Sequence, residues 1–327
     1  MNSSEDTANH VQHLVTCHLN SDDHRLMVSF PSNLAFSIHL TACILSAIIS
    51  VATICLNSLV VLTFWRTPPL KEKDSLYLVM ILSMVDAGTG IFCYPSLTLS
   101  LATDLMGIPQ CWITHVQSRL FMFTSVLSQS IVSTISTERY LGVVHPFFHR
   151  TKVTKDKLLM VLLCFWSIST LVLVLDVFVH DAFQFFATFS ITSLVLNTVF
   201  VYTVIAFVAV RSKMRQCEGQ IHVNSNKEGQ ENDDRRKSLK AKLYFLKQLK
   251  LAKSCFLIAL SYLMCYMPTL IVFGAMPNSL EDVTFSIASR WCLLFLMCNS
   301  IANSVIFFWG SAALRKAATV VLRSMYR

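Results

Sequence analysis

Residues 157–179 read KLLMVLLCFWSISTLVLVLDVFV, and residues 184–210 read QFFATFSITSLVLNTVFVYTVIAFVAV. Each stretch exceeds the ~20 predominantly apolar residues that a helix needs to cross the hydrocarbon core of a bilayer. Because lipid offers no partner to a free backbone amide, both stretches are expected to be helical. Only about residues 180–184 remain for the connection, so this turn must be very short.

Five further apolar segments flank this pair, at residues 37–65, 75–101, 114–144, 252–276 and 287–309. The 327-residue chain is 54% hydrophobic and only 14% charged, whereas a soluble domain averages about 25% charged residues. These numbers predict an all-α membrane protein that folds as a seven-transmembrane helix bundle.

Connections rich in lysine and arginine alternate with connections that have few, and this asymmetry indicates the orientation of the chain in the membrane. The connections after the first, third and fifth segments and the carboxyl-terminal tail are basic, whereas the others are mainly acidic and hold only Arg25 and Arg290. We therefore expect an extracellular, flexible amino-terminal segment (1–36) and a membrane domain (37–310). The net charge of +8 then reflects membrane topology, so nucleic acid is disfavoured as a partner.

Two cytoplasmic segments complete this organisation. A polar stretch at about 212–238 is expected to be a flexible third inner loop. In residues 311–327, apolar and basic residues alternate at helical spacing. This pattern predicts a short amphipathic eighth helix on the inner leaflet of the bilayer, with a frayed basic tail as the alternative.

Polar residues inside the predicted spans are costly in lipid, so each is a functional candidate. For Asn57 alone, a helix-packing hydrogen bond is a sufficient explanation. Asp86 differs, because a lone carboxylate in lipid needs a compensating partner. Glu138-Arg139-Tyr140 closes the third segment, and the seventh contains Asn299-Ser300-Ile301-Ala302-Asn303.

At these residues the chain resembles the rhodopsin-like family of G-protein-coupled receptors, in the family's order, over residues 37–325. The most specific piece is Thr137-Glu138-Arg139-Tyr140 followed by Val144-His145-Pro146. Trp166, Tyr202 and Cys265-Tyr266-Met267-Pro268 add to it. The resemblance implies a multi-pass plasma-membrane receptor, not an enzyme, that carries a signal from an extracellular ligand to a heterotrimeric G protein.

The resemblance also implies roles for individual residues. Arg139 would be a switch that pairs with Glu138 at rest and contacts the G protein when released. Pro268 would kink the sixth helix, whose inner half swings outward on activation in the family. Asp86, Ser128, Asn299 and Asn303 match positions that bind a sodium ion, and a water-filled polar cluster without sodium is the equal alternative.

Several positions depart from the family pattern. Tyr266 replaces its sixth-helix tryptophan, and Tyr262 replaces the phenylalanine one turn earlier. Ser304 and Phe307 replace the proline and tyrosine of the seventh-helix motif, which puts the usual active-state link to Tyr202 in doubt. Gln248 stands where an acid often clamps the switch arginine, so we expect raised basal activity.

The disulfide of the family is also altered. Cys111 lies three residues too early relative to Arg139, and no cysteine occurs between Cys164 and Cys217 to serve the second outer loop. A bridge from Cys111 to Cys17 is therefore the hypothesis. The short second outer loop, this missing bridge and Leu194 in place of the fifth-helix proline together resemble the melanocortin, cannabinoid, lysophospholipid and adenosine receptor cluster.

The sequence says less about the ligand. No acid lies between Cys111 and Glu138, and residues 287–309 contain no lysine, so a typical amine and retinal are both disfavoured. Lipid-like, peptide and nucleoside-like ligands stay open. Arg119 is expected either to pair with an acidic ligand group or to extend towards the lipid headgroups. For Asp176 and His180, a contact with each other at the interface is the alternative to a ligand role. The candidate pocket residues are Arg119, Phe121, Asp176, His180 and Tyr266.

Other classes of membrane protein fit the sequence less well. A transporter would show internal repeats, and a membrane enzyme would show metal ligands or an activated nucleophile. Neither pattern is visible in the spans. A receptor-like protein that does not couple stays open because of Tyr266, Ser304 and Phe307.

Overall fold

The computed structural model describes residues 13–19, 22–68, 74–176, 178–179, 182–222, 256–257, 260–269, 271–272 and 282–325. Within these residues, six helical stretches are long and apolar enough to cross a membrane. They coincide with six of the seven predicted segments. The remaining segment, 252–276, is described only in parts, of which residues 260–269 are helical.

The helices follow one another along the chain in this order. They are α1 Asn33–Arg66, α2 Asp74–Gly88, α3 Tyr94–Leu105, α4 Cys111–Val144, α5 Pro146–Lys152, α6 Lys155–Leu175, α7 Ala182–His222, α8 260–269, α9 Asp282–Met297, α10 Asn299–Gly310 and α11 Ala312–Met325. A π-helical turn, Thr89–Cys93, joins α2 to α3 within the second span. We call the end of the bundle near α5 and α11 the inner end, and the opposite end the outer end.

Two features of the helix ends were only partly predicted. The first helix begins at Asn33, ahead of the expected residue 37, because the Ser32 hydroxyl accepts a hydrogen bond of 3.1 Å from the Ala35 amide. The turn between α6 and α7 begins at Asp176, earlier than expected, because α6 already ends at Leu175. The loop helix α5, which follows the predicted third segment, was not predicted.

The amino-terminal segment is not wholly flexible, as the sequence had suggested. Strands β1 (Leu14–Leu19) and β2 (Asp22–Met27) form an antiparallel hairpin in which Leu14 pairs with Met27. The hairpin packs on α3, α4 and α9 at the outer end, and Leu26 and Met27 are almost fully buried. Burial of these side chains supplies the driving force that an isolated two-stranded hairpin lacks.

Apolar residues form an inner and an outer core along the bundle. The inner core includes Phe64, Leu78, Ile131, Tyr202 and Phe307, and the outer core is built around Tyr94, Leu97, Phe121 and Met297. Helix α11 closes the inner end, because Leu314, Ala318 and Val321 are buried at helical spacing. The amphipathic helix is therefore confirmed, and a frayed tail is excluded up to Met325.

The π turn in the second span allows a close contact with α1. Pro95 has no N–H group to donate to the backbone hydrogen bonds of an α-helix, so the regular α-helical pattern is interrupted just before it. The Ser50 hydroxyl of α1 donates a hydrogen bond of 2.9 Å to the Gly90 carbonyl. A Cβ atom on Gly90 would lie 2.8 Å from Ile54 Cγ1 and 3.2 Å from the Ile54 backbone nitrogen, so the two helices touch through this glycine.

We predict that Gly90→Ala forces α1 away from the second span and lowers stability by ~1–3 kcal/mol, the usual cost of overpacking. Thermal unfolding of the detergent-solubilised protein, followed by tryptophan fluorescence, measures this change. The matched control is Gly88→Ala, two residues away, where nothing lies within 4 Å of the added atom. This control should be neutral or stabilising by ~0.5–1 kcal/mol. Equal melting temperatures for the two variants would contradict the close contact.

Candidate functional site

Glu138 and Arg139 lie buried near the inner end of α4. Their side chains form an ion pair, and the exposed fractions of the two residues are only 1% and 2%. The second carboxylate oxygen of Glu138 lies 2.7 Å from Nε2 of His149. Glu138 therefore contacts two potential cations, one from its own helix and one from the loop helix α5.

His149 was missed by the sequence interpretation, although it lies three residues beyond the motif that ends in Pro146. A histidine among basic loop residues looks like a topology signal, and only the helical turn of α5 brings it back over Glu138. Pro146 at the first helical position favours that turn. Tyr140 is also oriented by α5, because its ring packs against His145 with a centroid separation of 5.8 Å.

Tyr202 of α7 contacts both neighbouring helices at the inner end. The Ser136 hydroxyl of α4 donates a hydrogen bond of 3.2 Å to the Tyr202 hydroxyl. The ring of Phe256, from the sixth apolar segment, packs against the Tyr202 ring at 5.7 Å. Gln248 lies outside the described residues, so its expected position facing Arg139 stays a prediction.

Asp86 is the centre of a fully buried polar cluster. One carboxylate oxygen accepts hydrogen bonds from Ser128 at 3.3 Å and from Ser300 at 3.0 Å. The other accepts a hydrogen bond of 3.0 Å from the Asn303 amide. The structure thus brings together three of the residues that the resemblance had grouped, and it adds Ser300.

Asn57 and Asn299 occupy the edges of this cluster. Asn57 donates to the Ser300 carbonyl at 3.3 Å and accepts a hydrogen bond from the Ser304 hydroxyl. Ser304, at the position of the family's proline, therefore ties α10 to α1. The oxygen of the Asn299 side chain accepts a hydrogen bond of 3.4 Å from Ser261 of α8.

A small cavity lies directly on the outer side of this cluster. Phe121 and Tyr262 line it, and the rings of Tyr262 and Tyr266 stack at 5.8 Å. Pro268 lies in the same helix, α8, two residues beyond Tyr266. The remaining lining consists of the Asn299 amide and of apolar and hydroxyl side chains, among them Leu296, Met297, Thr124 and Ser125.

Arg119 makes a contact that the sequence interpretation did not consider for it. Its guanidinium pairs with Asp176 at 3.2 Å, and the two side chains are only 12% and 9% exposed. The other carboxylate oxygen of Asp176 accepts a hydrogen bond of 2.9 Å from the Phe183 amide at the start of α7. This pair joins α4 to the turn between α6 and α7. His180 lies outside the described residues, so its contact with Asp176 is a prediction only.

A third buried ion pair lies near the hairpin. Arg290 of α9 contacts Asp104 of α3 at 3.3 Å and Gln117 of α4 at 3.1 Å. His39 of α1 lies 3.5 Å from the same carboxylate. The sequence interpretation assigned Asp104 and Arg290 to outer connections. That was wrong, because both belong to helices and are buried.

Cys111 is disulfide-bonded at the start of α4. Seven of the other cysteines are free in the structure. The partner of Cys111 is therefore one of the remaining cysteines, whose side chains the structure does not describe. The backbone of β1, which contains Cys17, packs against α4. The bridge between Cys17 and Cys111 stays a prediction that this packing favours.

The profile of the 7 transmembrane receptor (rhodopsin family) matches residues 56–307. The chain belongs to this family. The match covers about three quarters of the chain, including the polar core and the Glu138–Arg139 pair. An all-α seven-helix receptor fold, without enzyme activity, is therefore established, and the protein is a multi-pass membrane protein.

Two receptors illustrate the similarity. Cannabinoid receptor 1 of Xenopus laevis is 23% identical over 300 residues, which cover 84% of this chain and 61% of that receptor. Dopamine receptor 4 of Caenorhabditis elegans is 28% identical over 126 residues, which cover 38% of this chain and 24% of that receptor. The rhodopsin-family chain thus spans less than two thirds of the length of these relatives. Their names indicate chemically unlike ligands, so they identify none for this receptor.

We predict that Arg119→Gln and Asp176→Asn each destabilise the receptor by on the order of 3 kcal/mol, because each leaves a mostly buried charge without its partner. The double variant should recover most of this loss, since neither charge remains and the asparagine that replaces Asp176 still offers an oxygen to the Phe183 amide. Melting temperatures of the four proteins give the coupling energy. Additive losses would show that the two side chains act independently.

Proposed function

We propose that this protein is a receptor that transduces an extracellular signal to heterotrimeric G proteins at the plasma membrane. The observation that carries the proposal is the buried guanidinium of Arg139, held by Glu138 at the inner end of the bundle. A charge at this depth is costly in a purely structural role. Release of Arg139 towards a partner protein at the inner end would give this buried charge a function.

The inner end has the features of a resting state. Phe256 packs on Tyr202, so the sixth span lies against α7 near the motif that carries Arg139. Activation would separate these rings as the sixth span moves outward, and the carboxyl-terminal helix of a G protein would enter the cleft. Tyr202, freed from Ser136, would then support Arg139.

The Asp86 cluster supports binding of a sodium ion in this resting state. No lysine, arginine or histidine among the described residues pairs with Asp86, although its carboxylate is completely buried. Ser128, Ser300 and Asn303 supply oxygen atoms around it, and the Asn303 oxygen is itself buried without a hydrogen-bond partner. Hard cations prefer such oxygen ligands. The residues therefore fit a small cation that neutralises Asp86.

The lining of the cavity disfavours a charged ligand group. Phe121, Leu296 and Met297 supply apolar surface, and Thr124 and Ser125 supply hydroxyls. Among the described residues that line the cavity there is no acid or base. Arg119 and Asp176, which the sequence placed in the ligand pocket, are already paired with each other. This lining disfavours an acidic or cationic ligand group, and lipid-like, peptide and nucleoside-like ligands all stay open.

A receptor-like protein that does not couple is the second candidate. Phe307 favours it, because its ring is buried in the inner core and brings no hydroxyl to the active-state network. Nucleotide exchange on purified G proteins separates the two candidates.

We predict that Arg139→Ala abolishes ligand-independent nucleotide exchange while the receptor still reaches the cell surface. Basal exchange should be measurable in the unaltered receptor because Gln248 replaces an acidic clamp. Receptor in lipid nanodiscs with purified heterotrimeric G proteins provides the assay. The control is Arg150→Ala, which removes an exposed cation from α5 and should change exchange little. Unchanged exchange in Arg139→Ala would refute the switch role.

We also predict that sodium raises the melting temperature relative to equal potassium, and that Asp86→Asn removes this difference. At several times the dissociation constant, a bound ion contributes about 1 kcal/mol. Asp104→Asn is the matched control, because Asp104 is a buried acid that already has Arg290 as its partner. Sodium stabilisation that survives in Asp86→Asn would place the ion elsewhere.

A further inference from the structure

The contact between His149 and Glu138 links the loop helix α5 to the proposed Glu138–Arg139 switch. At 2.7 Å, the distance is that of a strong hydrogen bond to a charged acceptor. The His149 side chain is 14% exposed, whereas that of Glu138 is 1% exposed. One buried carboxylate is thus shared between Arg139, on the same helix, and a titratable group on another element.

Release of Arg139 changes the electrostatic environment of Glu138. A buried carboxylate that loses its only cation incurs a penalty of several kcal/mol. With His149 in contact, the carboxylate keeps a hydrogen-bond donor, and keeps a cation when the imidazole is protonated. We propose that His149 is a positioning residue of the switch, which holds Glu138 while Arg139 leaves and thereby favours the open state.

This proposal rests on the proposed function, and it adds a dependence on cytoplasmic pH. Histidine changes its charge between about pH 5 and pH 8. The protonated imidazole competes with Arg139 for the same carboxylate, so acidification should increase the open population. Acidification would favour the closed state if His149 held Arg139 in place. In the structure, however, His149 contacts Glu138.

Among the described residues, no other charged side chain pairs with Glu138 as His149 and Arg139 do. Of the described elements, α4 packs on α5 and presents Glu138 and Arg139. On α5 itself, Arg150 and Lys152 are exposed, and at the start of α6 lie Lys155, Asp156 and Lys157. His145, at the amino-terminal end of α5, packs on the ring of Tyr140 and is the natural control histidine.

The test measures the open population directly, without a ligand or a G protein. Noncanonical spin-labelled residues replace Lys253, in the sixth apolar segment, and Met160, which is exposed on α6. The distance distribution between them is recorded in lipid nanodiscs at about pH 6 and about pH 8. The proteins compared are the unaltered receptor, His149→Asn, His149→Arg and His145→Asn.

We expect the ratio of open to closed receptor to rise about fivefold on acidification in the unaltered receptor and in His145→Asn, which corresponds to ~1 kcal/mol. His149→Asn should stay closed at both pH values. His149→Arg should stay open at both, because its cation is permanent. The proposal is overturned if His149→Asn keeps the same pH response as the unaltered receptor, or if His149→Arg is no more open than His149→Asn.

Nucleotide exchange with purified G protein on the same nanodiscs separates this inference from the proposed function. If the open population follows His149 but exchange never occurs, coupling to G proteins is wrong and the role of His149 stands. If exchange occurs and depends on Arg139, while neither exchange nor distances depend on His149, coupling stands and the role of His149 is wrong.

Discussion

The structure depends on one constraint: a charge inside a bilayer must be compensated by the protein itself. In the described part of the chain, three buried acids satisfy it with counter-charges: Glu138, Asp104 and Asp176. Two of these ion pairs join different helices, so charge compensation also fixes how the helices pack. Asp86 is the exception among the described buried acids, because only hydroxyl and amide groups contact it. The sodium proposal follows from this contrast.

Buried charges are compensated differently at the two ends of α4, the third membrane helix. At the outer end, the Arg119–Asp176 pair connects α4 to the turn before α7, the connection that a disulfide makes in the wider family. At the inner end, Glu138 has two partners, Arg139 and His149, so one of them can leave without abandoning the charge.

The spans were predictable because hydropathy over ~20 residues reflects the thickness of the bilayer. The polar core around Asp86 was predictable in part, because motif positions within one family are conserved in space. The contact of Ser300 with Asp86 and the Arg290–Asp104 pair were not, because they join residues distant in sequence through side chains that no periodic pattern identifies. The contact of His149 with Glu138 was missed because it depends on the helical turn of α5. The hairpin was missed for a related reason: its stability comes from burial of Leu26 and Met27 against the bundle, which is a tertiary effect.

In the structure, other contacts replace those that the family's proline and tyrosine make in the seventh helix. Where the family has proline, the Ser304 hydroxyl bonds to Asn57, and where it has tyrosine, the Phe307 ring fills the inner core. Tyr202 meanwhile takes its hydroxyl partner from Ser136 on α4. These contacts hold the inner end together in the structure. In the proposed switch, the loss of an acidic clamp at Gln248 and the second partner of Glu138 act in the opposite direction. The proposed balance between closed and open states therefore depends on residues that contact α4, and not on α10 alone.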